Sequence, residues 1–547
     1  MEISMVNYDI FKEPVFSVSF QSNGALYSAD KSGDSWCWKD AEACVFSKLD
    51  EVSIMAQNTP LEKVIITWRV DMPLKTSIMG DHWERGYGDL EFRGFAPERK
   101  LPWYFLAVSG KNTWGVGVKT GCGAFCSWKL TRDRLTLILD VQNGGMGVLL
   151  KGRTLIAAHV VSAESDEDES TFAFGKRFCS LLCDKPVMPE APVYGGNNWY
   201  YAYGNSSHDK ILQDSDFIAS LSAGNANRPY MFIDDGWEVC HNGDHTGGPW
   251  HIGNSDFPDM PGLAAKMKDI GVKPGVWIRP LLNAVSVPKS WWLPGNRYVE
   301  RSLGFQYPWM LDPSIPDVLE FIREDFKRLV SWGYNIKHDY TTYDILGRWG
   351  FDMGEELTNP GWHFADRTRT TMEIILDMYR VMAEASGDAL VVACNTVSHA
   401  TAGIFAMQRT GDDTSGFDWH RTRKMGVNTM AFRAMQHGAF YAADADCVGI
   451  TPRIDWSLNK QWLDLVAKSG TPLLVSIDPA TADTVHKAAL KDAFKTASVE
   501  QPIAEPLDWL YNQSPCEFKL MGENVRYKWD GASPGEMLNI NFGRSGL

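Results

Sequence analysis

The sequence lacks the features that mark membrane, nucleic-acid-binding and zinc-binding proteins. None of its 547 residues belong to a run of about 18 apolar residues, so no membrane-spanning helix is expected. The formal net charge of −15 provides no basic excess for a nucleic-acid partner. The ten cysteines show neither paired CxxC motifs nor a Cys/His cluster at zinc spacing. We therefore expect no nucleic-acid partner and no contact with a membrane.

The first nine residues lack a basic start followed by an apolar run, so no signal peptide is visible. Periplasmic and cytoplasmic locations both stay compatible with the sequence, and so does an oligomer. Neither internal repeats nor low-complexity tracts occur. The hydrophobic content of 44% and charged content of 22% are those of an ordinary globular protein.

The chain length predicts two or three domains. Residues 1–185 carry short β-branched or alternating runs between Gly and Asn turns, which predicts an N-terminal β-sandwich. Three prolines within 185–192 indicate a boundary. Residues 193–490 alternate strand and helix patterns, and residues 495–547 return to short β-like runs, which predicts a small C-terminal β-domain.

The middle region has the rhythm of a TIM barrel. Strands are expected near residues 195, 231, 275, 336, 391, 408, 441 and 474. Helices are expected at 263–270, 313–332, 366–385 and 425–436. Eight β/α units over roughly 290 residues predict a (β/α)8 catalytic barrel, so the overall fold class is multidomain α/β.

Polar side chains follow most of these predicted strands. In a TIM barrel the active site lies at the carboxyl ends of the strands. In strand order, these residues are Trp199; Asp234 and Asp235; Trp277 and Arg279; Lys337 and Asp339; Cys394 and Asn395; Arg409, Asp412 and Asp413; Asp444 and Asp446. One acid at a strand end is commonly a cap, but acids at four strand ends require a ligand that offsets their repulsion.

The fourth predicted strand carries the strongest signal. Because side chains on a strand alternate between faces, Lys337 and Asp339 share one face, and Ile336 and His338 share the other. A lysine two residues before an aspartate, at the carboxyl end of a strand, keeps the carboxylate ionised and aimed into a cleft. We therefore interpret Asp339 as the nucleophile of a sugar-cleaving enzyme.

Three ligands compete for the strand-end carboxylates. A metal is disfavoured because the His-x-His of barrel metallohydrolases is absent, and His241 and His245 lie in a glycine-rich loop. A phosphate would need basic, glycine-rich turns, which the strand ends lack. A sugar fits best, since its hydroxyls donate to paired carboxylates. Neither a cofactor nor a metal is expected, and the expected partner is an oligosaccharide or glycoconjugate substrate.

Four consecutive motifs resemble the strand ends of the melibiase-type α-galactosidases, which are clan D retaining glycoside hydrolases similar to families 36 and 27. The motifs are Tyr230-Met-Phe-Ile-Asp-Asp-Gly-Trp237, Gly271-Val-Lys-Pro-Gly-Val-Trp-Ile278, Ile336-Lys-His-Asp-Tyr340 and Arg409-Thr-Gly-Asp-Asp-Thr414. The resemblance extends over about residues 193–480. It implies a retaining exo-glycosidase, above all an α-galactosidase acting by double displacement.

The resemblance also implies a role for each matching residue. Asp339 matches the nucleophile and Asp412 the acid/base. The residues that match substrate-binding positions are Trp199, Asp234, Asp235, Trp277, Lys337, Cys394, Asn395 and Arg409. Because Arg409 precedes Asp412 by three residues, where one branch of the family has four, Asp413 is the alternative acid. His338 replaces the usual aromatic residue.

Other activities remain alternatives. Within the same clan, α-N-acetylgalactosaminidase and β-L-arabinopyranosidase would use the same catalytic pair. A non-catalytic carbohydrate-binding barrel and a metal-dependent barrel hydrolase are further candidates. The N-terminal loop Asp81–Asp89 is dense in polar and aromatic residues, so it either reaches over the barrel mouth or forms an ordinary surface hairpin around Trp83.

Overall fold

The computed structural model describes residues 14–46, 50–240, 247–283, 287–298 and 309–530. Two antiparallel sheets come first, a nine-stranded curled parallel sheet with helices follows, and a three-stranded antiparallel sheet comes last. In the ranges just given, no helix is both long enough and apolar enough to cross a membrane.

The N-terminal β region is antiparallel, as expected. Its strands are β1 (Val15–Ser22), β2 (Ala25–Ser28), β3 (Asp30–Ser32), β4 (Ser35–Trp38), β5 (Ala41–Val45), β6 (Glu51–Ala56), β7 (Lys63–Arg69), β8 (Ser77–Gly80), β9 (Leu101–Pro102), β10 (Tyr104–Ser109), β11 (Asn112–Val118), β12 (Phe125–Leu130), β13 (Arg134–Asp140) and β14 (Thr154–Glu164). They form sheets in the orders β2-β1-β7-β13-β12-β9 and β3-β4-β5-β6-β14-β11-β10-β8. The rings of Phe105 and Trp128 meet edge to face at 6.1 Å and join the two sheets.

One helix, α1 (Thr171–Leu182), ends this region, where the sequence pattern predicted only strands. The Ser170 side chain accepts a hydrogen bond from the Ala173 amide and so caps the helix. Phe174, Phe178 and Leu182 recur at a helical spacing and are fully buried. The region is therefore not all-β.

The parallel sheet has a strand at or beside every predicted position. Its strands are β15 (Tyr194–Asn197), β16 (Tyr230–Ile233), β17 (Lys273–Ile278), β18 (Asn335–His338), β19 (Val391–Ala393), β20 (Met407–Arg409), β21 (Ala442–Asp444), β22 (Cys447–Ile450) and β23 (Leu473–Ile477). The order is β21-β20-β19-β18-β17-β16-β15-β23-β22. The two edge strands, β21 and β22, are separated only by Ala445 and Asp446. The two edges of the sheet are therefore adjacent segments of one chain.

The helices that follow α1 are α2 (Trp199–Ala202), α3 (His208–Leu221), α4 (Met260–Ile270), α5 (Pro316–Ser331), α6 (Thr341–Leu346), α7 (Thr371–Ser386), α8 (Ser398–Thr401), α9 (Trp419–Thr422), α10 (Thr429–Arg433), α11 (Trp456–Lys468) and α12 (Thr484–Ala497). Short 3₁₀ turns lie at Lys289–Trp291, Gly295–Arg297, Gly350–Asp352, Ala434–Gln436 and Pro479–Thr481, and a π-helical turn at Arg423–Asn428.

The predicted helices at 263–270 and 313–332 are confirmed as α4 and α5. Helix α4 ends at Gly271, whose φ of +115° suits glycine. The prediction that a helix starts at Asp366 is wrong, because Thr370 and Glu373 form a reciprocal capping box that starts α7. The predicted helix at 425–436 is divided into π, α and 3₁₀ segments.

The C-terminal sheet contains β24 (Glu505–Pro506), β25 (Glu517–Leu520) and β26 (Glu523–Arg526). Just beyond it, the Trp529 carbonyl accepts a hydrogen bond of 3.1 Å from the indole of Trp419, the first residue of α9. This contact attaches the C-terminal segment to α9, which follows β20 of the parallel sheet.

Candidate active site

Strand β18 presents alternate residues to opposite faces, as predicted. Its outward face buries Ile336 and His338 completely. The His338 ring packs against Phe326, Tyr379 and Phe405. Because burial lowers the pKa of His338 to about 4, this imidazole is neutral and belongs to the packing between sheet and helices rather than to the site.

Asp339 follows directly after β18 and accepts three N–H donors. Its Oδ1 accepts from the backbone amides of Tyr340 at 2.7 Å and Asn395 at 3.2 Å, and its Oδ2 accepts from the Trp277 indole at 3.2 Å. Burial alone would raise the pKa of Asp339, but the charges of Lys337 and Arg85 outweigh it and the pKa is lowered. The carboxylate is therefore ionised and fixed in orientation.

Lys337 pairs with Asp234. Its Nζ lies 2.6 Å from Asp234 Oδ2, which also accepts a 2.6 Å hydrogen bond from Asn197 Nδ2. Asp234 Oδ1 accepts from the Asp235 amide at 2.9 Å. Burial disfavours the charged lysine, but Asp234 raises the pKa of Lys337 well above its usual value. The ends of β15, β16 and β18 are thus joined by one ionic network.

The two carboxyls after β20 have different surroundings. Asp412 is held at both oxygens, by Arg85 Nη2 at 3.0 Å and Arg421 Nη2 at 2.8 Å. Asp413 Oδ1 lies 3.2 Å from Arg409 Nη2 and 3.6 Å from Arg85 Nη1. The Asp413 side chain is 40% exposed, against 17% for Asp412, so Asp413 is the more open of the two to a ligand.

Burial and the neighbouring cations shift the pKa of Asp413 in opposite directions. Its partial removal from water favours the protonated form, but Arg409, Arg85 and other cations lower the pKa of Asp413 below its usual range. In turn, the Asp413 charge acts to raise the pKa of Asp339. The two carboxyls are therefore close enough for their charges to interact.

Cys394 and Asn395, at the end of β19, are buried inside the network. The Cys394 thiol accepts from Arg409 at 3.4 Å. The Asn395 carboxamide oxygen accepts from the Tyr343 amide at 3.0 Å, and its Nδ2 donates to Glu84 Oε1. Because its side chain already has partners at both ends, Asn395 supports the site rather than offering a free group to a ligand.

The loop Asp81–Asp89 of the N-terminal β region enters this site. Glu84 is fully buried and Arg85 is 4% exposed, and both contact residues at the carboxyl end of the parallel sheet. Trp83 lies elsewhere, because its ring packs edge to face on Trp103 at 5.2 Å. The loop is therefore not an ordinary surface hairpin. Sequence reasoning singled it out but did not identify Glu84 and Arg85 as its contacting residues.

The remaining predicted residues lie around this network. The half-buried Trp199 starts α2, and its amide donates to Asn197 Oδ1 at 2.8 Å. The Asp235 charge acts on Tyr340, which follows Asp339. Arg279 instead forms a fully buried ion pair with Asp344 at 2.6 Å.

Asp446 accepts from Arg409 at 2.8 Å and from the Thr414 amide at 2.8 Å. Burial raises the pKa of Asp444 to about 6. Asp446 is therefore the ion-pair partner of Arg409, and Asp444, the last residue of β21, is affected by the same charge. His241 and His245 lie outside the described residues. Within the described part of the chain, no group of three or more His, Cys, Asp or Glu side chains is arranged to hold a metal ion.

The fold is that of α-galactosidases, including members of glycoside hydrolase family 36, so the resemblance drawn from the sequence is confirmed at the level of the fold. The chain superimposes on TtGalA, an α-galactosidase from Thermus thermophilus solved with p-nitrophenyl α-D-galactopyranoside. The TM-score is 0.60 and the identity 16%, over 93% of this chain and 99% of that one. Another TtGalA structure contains stachyose.

Two further α-galactosidases match at a similar level. AgaA from Geobacillus stearothermophilus, of family 36, gives a TM-score of 0.58 with 13% identity over 89% of this chain and 76% of its own. The Lactobacillus brevis enzyme gives 0.58 with 12% identity over 89% and 73%. No family model matches the chain, and no curated protein matches it in sequence.

Proposed function

We propose that the chain is a retaining exo-α-galactosidase in which Asp339 is the nucleophile. The observation that carries this proposal is the set of three N–H donors that fix an Asp339 carboxylate kept ionised by the charges of Lys337 and Arg85. A nucleophilic carboxylate needs a fixed direction and a low proton affinity, and this arrangement provides both.

Asp413, rather than Asp412, is our proposed acid/base. Each oxygen of Asp412 is paired with a guanidinium group, whereas the Arg409 and Arg85 contacts of Asp413 are both at Oδ1, so Oδ2 of Asp413 is the oxygen that can face a substrate. Asp413 is more open to solvent and lies four residues after Arg409, the spacing that the sequence comparison left as the alternative. Asp412 then serves as a fixed anion beside the acid/base.

The reaction follows in two displacements. An Asp339 oxygen bonds to the anomeric carbon as the bond to the leaving oxygen breaks, and that oxygen takes its electron pair and a proton from Asp413. Because nearby cations keep the pKa of Asp413 low in the free site, Asp413 binds this proton when the sugar displaces solvent around it. Asp413 then removes a proton from water, whose oxygen attacks the anomeric carbon and releases Asp339 as a carboxylate. Two inversions give net retention of configuration.

The proposed substrate is the non-reducing α-galactosyl end of an oligosaccharide or glycoconjugate. Asp234 and Asp235 accept the sugar hydroxyls, and the half-buried Trp199 supplies aromatic surface for the ring. The buried Trp277 contributes through its indole N–H, which donates to Asp339. The stachyose and p-nitrophenyl galactoside complexes of TtGalA support this substrate class. The Lys337–Asp234 ion pair would hold one hydroxyl-binding carboxylate in place.

We also infer the finer architecture. The adjacency of β21 and β22 supports closure of the parallel sheet into a (β/α)8 barrel within 193–490. The ring contact between β10 and β12 supports a β-sandwich within 1–185. Residues 495–547 would form the small C-terminal domain.

The test is turnover of an aryl glycoside panel by the full chain. It contains the α-galactoside, the α-N-acetylgalactosaminide, the β-L-arabinopyranoside and the β-galactoside, with Asp339→Ala alongside. We expect the α-galactoside to be preferred, the α-anomer of galactose to appear first by NMR, and Asp339→Ala to be inactive. First release of the β-anomer, or full activity of Asp339→Ala, would refute the proposal.

A further inference from the structure

The backbone of the loop Asp81–Asp89 is attached to the end of β20. The Gly86 amide donates to the Thr410 carbonyl at 2.8 Å, and the Asp412 amide donates to the Gly86 carbonyl at 2.9 Å. A Cβ atom on Gly86 would approach Thr429 Cγ2 to 2.8 Å, so only glycine fits this close approach. These contacts extend the parallel sheet by a short bridge to the N-terminal β region.

This attachment aims Arg85 at both carboxyls after β20. Its Nη2 lies 3.0 Å from Asp412 Oδ1, and its Nη1 lies 3.6 Å from Asp413 Oδ1 and 3.8 Å from the Cys394 sulfur. The side chain is 4% exposed. A planar guanidinium in this position fixes the relative orientation of the two carboxylates.

Glu84 in turn orients Arg85. Its Oε1 accepts from Arg85 Nε at 3.0 Å and from Asn395 Nδ2, and its Oε2 accepts from the Gly350 amide at 2.6 Å and the Tyr87 hydroxyl at 2.9 Å. Four donors around a fully buried carboxylate leave it little freedom to move. The loop, β19 and the segment after α6 therefore meet at this one side chain.

We propose that Arg85, held by Glu84, is a positioning residue for the acid/base step of this enzyme. It keeps Asp412 paired and turns Asp413 toward the leaving oxygen. The N-terminal β region then completes the reaction site in addition to its own packing. This inference rests on the proposed function, because it assigns a part in that reaction.

The pKa of Asp413 also depends on the charge of Arg85. The charged and titratable groups that act on Asp413 are Arg409 on β20, Arg421 in α9, Lys337 and Asp339 at β18, Tyr340 after Asp339, Tyr200 and Tyr203 at α2, the adjacent Asp412, and Arg85. Asp446, after β21, pairs with Arg409. Arg85 alone among them comes from the N-terminal β region. Removing it removes one cation that favours the ionised form of Asp413.

The experiment compares Arg85→Ala, Arg85→Lys and the same-loop control His82→Ala in the full chain. The control is matched because His82 pairs with Asp89 at 2.9 Å, outside the carboxylate network. The substrates are methyl α-galactoside, whose leaving group needs a proton, and α-galactosyl fluoride, whose leaving group needs little help. Melting temperatures and kcat/KM against pH are measured for each variant.

We expect Arg85→Ala to lower kcat/KM about 10²-fold on the methyl glycoside and less than about 10-fold on the fluoride. The alkaline limb of its pH profile should move to higher pH, because Asp413 then keeps its proton longer. Arg85→Lys should recover part of both effects, and His82→Ala should behave as the wild type. If Arg85→Ala fails to fold, Arg85→Lys still tests the positioning role, because it loses the planar guanidinium and should show a smaller difference of the same sign between the two substrates.

Equal losses on both substrates, or an unshifted alkaline limb, would overturn the inference and leave the α-galactosidase proposal standing. An inactive wild type on both substrates would overturn the proposed function and, with it, this inference. The two failures are therefore distinguishable.

Discussion

Lys337 Nζ lies 2.6 Å from Asp234 Oδ2, although the lysine stands two residues before Asp339 and shares its strand face. The ion pair spans from β18 to the end of β16, with β17 between them. Lys337 therefore influences Asp339 through space and holds Asp234 directly. The Lys337 ammonium group therefore acts on both the candidate nucleophile, Asp339, and a candidate sugar-binding residue, Asp234.

Replacing Lys337 by methionine, which keeps most of its volume, tests this double role. Removing one partner of a buried ion pair costs about 3–5 kcal/mol of unfolding free energy. We expect Lys337→Met to lose stability of that order and kcat/KM by at least about 10²-fold, because Asp234 is left unpaired and Asp339 loses a nearby cation. Urea unfolding and kinetics measure the two effects.

The double variant Lys337→Met with Asp234→Asn is the control. It removes the uncompensated charge, so it should recover stability without recovering activity. If the second substitution only adds a further loss of stability, the two side chains are not coupled in the way their distance indicates.

Azide separates the roles of the carboxyls after β18 and β20. Asp339→Ala should lose at least about 10³-fold in kcat. With α-galactosyl fluoride, azide should then occupy the space of the missing nucleophile and yield β-galactosyl azide. Asp413→Asn should still form the glycosyl-enzyme from this substrate, and azide should release it as α-galactosyl azide.

Asp412→Asn is the matched comparison, one residue away. Because Asp412 is paired at both oxygens, we expect its loss to weaken activity without azide rescue. If Asp412→Asn yields the α-azide product and Asp413→Asn does not, the acid/base assignment passes to Asp412. NMR of the isolated azides gives the anomeric configuration.

The strand ends of the parallel sheet could be predicted because each signal is local. An apolar run followed at once by acids marks Asp234, Asp235 and Asp339 in a few residues. The face of His338 followed from the two-residue period alone. Thr370 and Glu373 have the spacing of a capping box, so the start of α7 is also a local signal, which the capping-type Asp366 four residues earlier obscures.

The contacts of Glu84 and Arg85 could not be predicted from the sequence. They join residues about 300 positions apart, and no local pattern specifies which loop of one region reaches which strand end of another. The side-chain direction of Asn395 was hidden for the same reason, because Glu84 is one of its partners. Tertiary contacts decide both.

Trp277→Phe tests the hydrogen bond to the nucleophile candidate. The phenyl ring keeps apolar volume but loses the indole donor 3.2 Å from Asp339 Oδ2. A hydrogen bond to a charged group is worth about 1.5–3 kcal/mol, so kcat/KM should fall about 10- to 100-fold. Because the pKa of Asp339 rises without this donor, the acid limb of the pH profile should move to higher pH.

Trp250→Phe is the matched control. Its indole is also buried and lies 5.9 Å from Trp277, but it donates to the Leu282 carbonyl at 3.1 Å. A comparable loss of stability with an unchanged acid limb is expected. If both variants shift the limb equally, packing rather than the bond to Asp339 sets the proton affinity.

His338 should make stability depend on pH. Its pKa falls from 6.5 to about 4 because it is buried, so between these values the unfolded chain binds a proton that the folded chain does not. Stability is therefore present above pH 6.5 and is lost as the pH falls toward 4, by roughly 2–3 kcal/mol for this residue. His338→Phe cannot titrate, so its unfolding free energy should decline less over this window.

The pH range above about 7.5 serves as the control, because position 338 binds no proton there in either the wild type or His338→Phe. The difference in unfolding free energy between wild type and His338→Phe should be constant there and should shift in favour of the variant below pH 6.5. Urea unfolding from pH 4.5 to 8 measures it. A constant difference over the whole range would mean that His338 has the same pKa in the folded and unfolded chains, which a ring packed between Phe326, Tyr379 and Phe405 should prevent.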